Sequence, residues 1–583
     1  MLTKFLYNDI EFLLEDYGQE NSFVSSFEEN NGFLKLKLKF DFYRPTTPKS
    51  MLLSFCINKT NCLYTWNSNQ GMKRNLLPEW KGSKIESRSV IGTPILSFVD
   101  FDDNNIVTVS LSDYEIPHTL SGGFSEEHGG IKVRVDLFSG TIGLIKEYNI
   151  DVVIDLRKVK FYESIKEISD SYNSTIELRN VPDSSKLPLF STWYSDHQRL
   201  SKEKIINDCK KAKELGLDLI IIDDGWQTDD TSYGYGFCGD YIPSENKIGK
   251  MEELIKSIHD LDMKVMLWYS VSFLGEYSAN FEKYKDKTLL YVPKGHYYVL
   301  DPRFKEVRTF ISDFLCRSVK KWGIDGLKLD FIDAFRLPED KIVRDGIDCK
   351  TLEEGIRLLL VEIKRNLLSI NPDFLIEFRQ RYIGPAMKML GTMFRVGDCP
   401  GDFIANRIGI ADLRFTSGKY AVHGDPIYFP TYASSEYVAC ALANSIFGVI
   451  QFSVTPDNLS VEQYKVVKNY ISFAKQYKDV LLDGYFEIVG GSNSCSECRS
   501  SLNGLTIVGY YENKHIVDVK SNMIIINGSG TKGVYVHNNS EEILKYTIKD
   551  CYGNIYEEGS IDGLKYIDAK PGSMIYFLIC KGS

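Results

Sequence analysis

From Phe33 the chain reads FLKLKLKFDFY, with apolar and mostly charged residues alternating one for one. A period of two is the signature of a strand with one buried face. Similar short runs, NIVTVSLSDY and IKVRVDLFSG, recur between Asn, Gly and Asp turns, and they predict an antiparallel β-sandwich over residues 1–186. After Leu189 the rhythm changes. Apolar strand patterns at 189–195, 217–226, 264–271, 326–331, 374–380, 393–398, 426–432 and 448–454 alternate with amphipathic helical patterns. The helical patterns fall at 201–215, 250–261, 304–322, 352–369, 402–414, 434–446 and 461–478. Eight strand patterns over 187–483 predict a (β/α)8 TIM barrel. Alternation returns in LTIVGYYE and SNMIIINGSG and runs to SMIYFLIC, which predicts a small C-terminal β-sandwich over 484–583.

Composition narrows the function. With 43% hydrophobic and 25% charged residues the chain is an ordinary globular protein, and at 583 residues it exceeds one core. The net charge of -10 is spread along the sequence, which argues against nucleic acid as a partner. No apolar run of about 18 residues is present, so no membrane partner is expected. Acids at Asp9, Glu11 and Glu15 break the pattern of a signal peptide, so a cytoplasmic protein is expected. The 12 cysteines are scattered singly apart from Cys56 and Cys62 and the pair Cys495 and Cys498 in SCSEC, and that CxxC pair is read as reduced loop thiols. No HExxH, Walker-type or GxGxxG helix-opening motif is present, so no metal and no cofactor is expected.

The chemistry is concentrated at the ends of the barrel strands. In GLKLDF, Lys328 and Asp330 stand two apart and so point to one side, toward the barrel axis. Asp330 alone fits a loop cap or a partner for Lys328 as well as it fits catalysis. Other strand ends add weight: Asp223 and Asp224 close the second strand, and Arg395, Asp398 and Asp402 follow one another at the sixth. Trp193, Trp226 and Trp268 bring aromatic surface to the same rim. Two facing carboxylates suit glycosidic bond cleavage, one as nucleophile and one as general acid/base. Asp330 is the expected nucleophile, kept ionised by Lys328. Asp398 is the expected acid/base, with a raised pKa in the free enzyme, which requires Arg395 to reach the sugar and not Asp398. A separation of roughly 5 to 6 Å is expected for a retaining pair.

The runs IIIDDGWQ, GDYIPSENKIGKMEELIKSIHDLDMKVMLW and WGIDGLKLDF resemble those of the retaining α-glycosidase clan containing glycoside hydrolase families 27, 31 and 36. The resemblance is nearest to family 36, the melibiase-like α-galactosidases, whose sandwich, barrel and sandwich layout is also similar. It implies Asp330 as nucleophile, Asp398 in FRVGDCPGD as acid/base, and Asp223 and Asp224 on the distal sugar hydroxyls. Lys328 and Arg395 would hold further hydroxyls. The chain departs from the family at IEFRQRYIGP, where a Cys and Gly-rich loop is usual, and at RVGDCPGD around the acid/base. Glu377 and Arg379 are either substrate contacts there or an internal ion pair.

The expected function is therefore a retaining, exo-acting hydrolase that removes terminal α-linked galactose from oligosaccharides. Another α-glycosidase of the clan, of α-glucosidase or α-N-acetylgalactosaminidase type, or a transglycosidase, is the alternative. A catalytically inactive sugar-binding barrel is a third reading. An α-linked oligosaccharide is the expected partner, and a homo-oligomer the expected assembly.

Overall fold

The computed structural model describes residues 2–18, 21–492, 494–513 and 515–577. The tail of SMIYFLIC, 578–580, lies outside the described residues. The barrel strands are β1 (Leu189–Ser191), β2 (Leu219–Ile222), β3 (Lys264–Ser270), β4 (Gly326–Asp330), β5 (Leu375–Arg379), β6 (Met393–Arg395), β7 (Ala421–His423) and β8 (Gln451–Phe452). They form one parallel sheet in the order β7-β6-β5-β4-β3-β2-β1-β8, and single bridges at His423/Val449 and Ile427/Phe452 bring β7 and β8 together. The layer outside it is α1 (Lys202–Leu215), α2 (Met251–His259), α3 (Lys305–Trp322), α4 (Leu352–Leu368), α5 (Phe403–Ser417), α6 (Ser435–Asn444) and α7 (Val461–Gln476). Close strand packing sets some residues outright: a side chain at Gly326 would stand 2.7 Å from the Leu375 Cβ of the neighbouring strand.

Three expectations for the barrel are corrected. The seventh strand is not 426–432: Pro426 and Pro430 carry no backbone donor there, and the strand forms earlier, at Ala421–His423. The first strand stops at Ser191, which caps a short helix, Thr192–Asp196, where the sequence pattern had continued the strand. A three-stranded antiparallel sheet (Phe273–Gly275, Thr288–Val292, Tyr297–Leu300) is inserted after β3, where no element was expected.

Before the barrel, two six-stranded antiparallel sheets pack face to face. Strand Phe33–Thr46 obeys its alternation, burying Leu34, Leu36, Leu38, Phe40 and Phe42 while Lys37, Lys39 and Asp41 stay exposed. The stretch Phe161–Asn173, expected among strands, is a helix that buries Phe161, Ile165, Ile168 and Tyr172 at helical spacing. The sandwich is fastened to the barrel by a buried ion pair of Arg74 with Asp412 of α5 at 2.6 Å, and Asp412 also accepts from the Trp66 indole at 2.7 Å. After the barrel, a seven-stranded and a three-stranded sheet enclose a core that includes Val508, Ile525, Val536 and Ile575. Among the described residues no helix is long and apolar enough to cross a membrane.

Candidate active site

Strand alternation builds the site. Leu189, Leu219, Ile221, Met266, Leu375 and Met393 close the lower barrel as an apolar plug. Two residues further along the same strands lie Asp223, Trp268, Glu377 and Arg395, with Lys328 at the matching level of β4. Asp330 and Arg379 stand one level higher, at the mouth.

Asp330 is buried at 7% exposure and strongly held. Its Oδ1 accepts from the Tyr382 hydroxyl at 2.5 Å, its own neighbour's Phe331 N–H at 2.9 Å and Arg379 Nε at 3.2 Å. Its Oδ2 accepts from Trp268 Nε1 at 3.1 Å. Burial works against the charge, but Arg379 and Lys328, with the Tyr382 and Trp268 donors, hold this carboxyl well below the usual carboxylate range. The expectation of an ionised Asp330 thus agrees with the geometry, although the bond made by Lys328 runs elsewhere, to Asp223 Oδ2 at 2.6 Å.

Asp223 and Asp224 sit where β2 ends, buried at 2% and 3% exposure. Gly225, at φ 113°, lets the chain turn at once and pack on Gln198, whose Cα would lie 2.7 Å from an added Cβ. Gln198 and Gln227 each donate to Asp224 at 2.7 Å. Among the described residues Asp224 has no ion-pair partner, and burial with the nearby charges of Asp223 and Asp330 pushes its pKa up to about 6.

At β6 the sequence expectation fails. Arg395 does not keep clear of Asp398: its Nη2 bonds Asp398 Oδ1 at 2.9 Å. Arg395 is buried and also pairs with Asp425 and, at 3.5 Å, with Glu377 Oε1. Burial would raise the Asp398 pKa, but Arg395, Arg379 and Lys328 outweigh it, so the carboxyl lies below its ordinary value, not above. Glu377 and Arg379 are not paired with each other. Glu377 accepts from Gln451 at 2.5 Å and faces Arg395, whereas Arg379 holds Asp330. Arg379 and Arg395 are register partners on β5 and β6, so Asp330 and Asp398 stand on adjacent guanidiniums at one mouth.

The three tryptophans part company. Trp193 is half-buried, edge-on to His197 at 5.2 Å and to Tyr233 at 6.4 Å. Trp268 is buried and serves Asp330 as donor, with Tyr235 stacked on it at 6.3 Å. Trp226 is not at the rim: the Gly225 turn sends it into the helix layer at 0% exposure, against Tyr269 and Trp322, with its indole N–H on Trp268 O. Asp402 is exposed, and its Oδ1 caps α5 by accepting from Ala405 N–H at 2.9 Å. Its position just before a helical run was the signal for that role.

Sequence reasoning missed Tyr382, Gln198 and Asp425. Asp425 is 1% exposed, with Oδ2 accepting from Cys399 N–H and the Tyr194 hydroxyl, both at 2.9 Å. It lies just past β7, whose place was misread, and nothing in the sequence separates it from a loop acid. A cavity of about 290 Å³ opens beside Asp398, lined by Asn69 and Met72 of the sandwich and by Gln380 and Arg381. Among the described residues no group of three His, Cys, Asp or Glu side chains is arranged for a metal ion.

The profile of the family described as Melibiase matches residues 159–362. A bifunctional alpha-galactosidase/sucrose kinase of Mediterraneibacter gnavus is 28% identical over 355 residues, which is 56% of this chain and 35% of the relative. An alpha-galactosidase of Lactobacillus acidophilus is 23% identical over 287 residues, 45% of this chain and 37% of the relative. The matches thus span little more than a third of the length of these curated relatives. Among solved structures, the galactosidase domain of an alpha-galactosidase-sucrose kinase aligns with 97% of this chain and 82% of its own, with TM-score 0.65 and 15% identity. An alpha-galactosidase of family 36 from Geobacillus stearothermophilus, in complex with stachyose, aligns with 98% of this chain and 84% of its own, with TM-score 0.64 and 15% identity. At that identity the structural likeness shows the fold.

Proposed function

We propose, from the premise that this chain belongs with the melibiase-type glycoside hydrolases of family 36, that it is a retaining, exo-acting α-galactosidase working through Asp330 and Asp398. The observation that carries the reading is the state of Asp330: a buried carboxylate, kept ionised at the barrel mouth, with an accessible second carboxylate on the neighbouring guanidinium. A nucleophile must be anionic and desolvated before the sugar arrives, and a loop cap needs neither property.

In this reading Asp330 attacks the anomeric carbon from one face while Asp398 protonates the departing oxygen on the other. Water then enters beside Asp398, which takes its proton, and the glycosyl bond to Asp330 breaks. Asp223, Asp224 and Lys328 face the glycone hydroxyls; Asp224, gripped by two amides and with no cation of its own, is suited to accept from a hydroxyl. The cavity beside Asp398 receives the leaving group, with Arg381 and Asn69 offering donors. Arg395 is already occupied by buried carboxylates, so it positions Asp398 and is not a free sugar contact. The reading includes a cytoplasmic setting, with which the eleven free cysteine thiols among the described residues agree.

The glycone is tested with paired nitrophenyl α-galactoside and α-glucoside. Turnover of the galactoside at least about a hundredfold above the glucoside is expected, since a buried acceptor left without its hydroxyl partner is costly. Turnover of the glucoside alone would move the assignment to another α-glycosidase of the clan.

A further inference from the structure

We propose that Tyr382 is a positioning residue that fixes Asp330 Oδ1 as the spectator oxygen, so that Oδ2 is the atom that attacks. The inference rests on the reading of Asp330 as nucleophile, and it concerns which of its two oxygens reacts and what controls the second half of the reaction. The two oxygens are solvated unequally. Oδ1 takes three donors, Tyr382 Oη, Phe331 N–H and Arg379 Nε, whereas Oδ2 takes the Trp268 indole N–H. An oxygen whose lone pairs are filled by three donors is a poor nucleophile, which leaves Oδ2 to attack.

The cradle is built on purpose from strained and clamped backbone. Phe331 adopts φ 56°, a conformation unfavourable for a bulky residue, and this accompanies an N–H directed at Oδ1. The same N–H reaches the Tyr382 oxygen at 3.2 Å, so the Tyr382 hydroxyl accepts from the backbone and donates to the carboxylate. Tyr382 is fully buried, with the Arg379 guanidinium 4.9 Å above its ring. Its loop is held by the N-terminal sandwich: Gly92 N–H donates to Arg381 O at 3.3 Å, Thr93 Oγ1 to Ile383 O at 3.2 Å, and Gly384 N–H to Val90 O at 3.3 Å. The sandwich thereby fixes a group that touches the reacting carboxylate.

Oδ2 bonds the anomeric carbon as the bond to the leaving oxygen breaks, and that oxygen takes its electron pair and a proton from Asp398. Oδ1 becomes the ester carbonyl oxygen. Water then attacks the anomeric carbon, its proton passes to Asp398, and the bond to Oδ2 breaks with its electron pair returning to the carboxylate. The Tyr382 donor stabilises that returning charge, so its loss makes Asp330 a poorer leaving group and, through higher basicity, a no worse nucleophile.

Tyr382→Phe tests this with an activated aryl α-galactoside, whose first step needs no proton. Expected is a kcat lower by roughly ten- to a hundredfold with KM falling in parallel, kcat/KM nearly unchanged. Intact-protein mass spectrometry during turnover is expected to show a hexosyl adduct that the parent enzyme does not accumulate. A kcat/KM that falls as far as kcat, with no adduct, overturns the proposal, as do kinetics identical to the parent. If Tyr382→Phe fails to fold, judged by its thermal unfolding, Thr93→Val loosens the same loop from the sandwich, and the same kcat and KM pattern is expected in weaker form; unchanged kinetics there also overturn it. These failures are distinct from failure of the parent reading, which shows as no turnover of any α-galactoside by the unaltered enzyme.

Discussion

Asp330→Gly is expected to lower turnover of a nitrophenyl α-galactoside by about four orders of magnitude or more, because the covalent route disappears with the attacking group. The buried position explains why no neighbour substitutes for it: the surrounding donors Arg379, Tyr382 and Trp268 are cationic or weakly basic groups already turned toward this carboxylate. Removing the side chain leaves a small vacancy lined by those donors, which suits a small anion. Millimolar azide is therefore expected to restore part of the rate by attacking the anomeric carbon from the vacated side and to yield a galactosyl azide of inverted configuration. Initial rates with and without azide, and identification of the product, check both halves. A sugar-binding barrel has no turnover to lose, so full activity in the glycine variant would remove Asp330 from the chemistry altogether.

The second large effect concerns Asp398. Asp398→Asn is expected to reduce kcat/KM about a hundred- to ten-thousandfold on an unactivated galactoside such as a disaccharide. A dinitrophenyl galactoside, whose leaving group needs no proton, loses far less in the first step. The pH dependence follows from the Arg395 contact. Because Arg395, Arg379 and Lys328 hold the Asp398 carboxyl below its ordinary pKa, the protonated form needed for the first step is populated at low pH, and its fraction falls tenfold for each pH unit above that pKa. For the disaccharide, kcat/KM is thus expected to decline as pH rises from roughly 5 to 7. Asp330 is held lower still and remains ionised over that range. The asparagine variant removes the slope, and pH profiles of the two enzymes on both substrates measure it. A profile that rises toward neutrality on the disaccharide would mean that another group donates the proton.

What the sequence discloses follows from where side-chain direction is fixed by a regular period. On β4 and β5 a spacing of two places Lys328, Asp330, Glu377 and Arg379 in the barrel interior, and the structure puts them there. Trp226 lies beyond the end of β2, where the Gly225 turn breaks the period, and its side chain goes to the helix layer instead of the rim. Tyr382 is supplied by an irregular segment whose course is set by contacts with residues 90 to 93, nearly three hundred positions earlier, which no local pattern conveys. The electrostatics of Asp398 are hidden from the sequence for a related reason. The sequence shows that Arg395 is near, but its direction depends on Glu377 and Asp425, which come from other strand ends. The seventh strand was displaced because apolar and aromatic composition outweighed two prolines in the pattern.

The most direct test of the central claim is the anomeric form of the first product, followed by proton NMR from the start of hydrolysis of an α-galactoside. Two displacements at one carbon return the starting configuration, so α-galactose is expected to appear first and to mutarotate afterwards. Initial release of β-galactose would contradict the covalent role of Asp330.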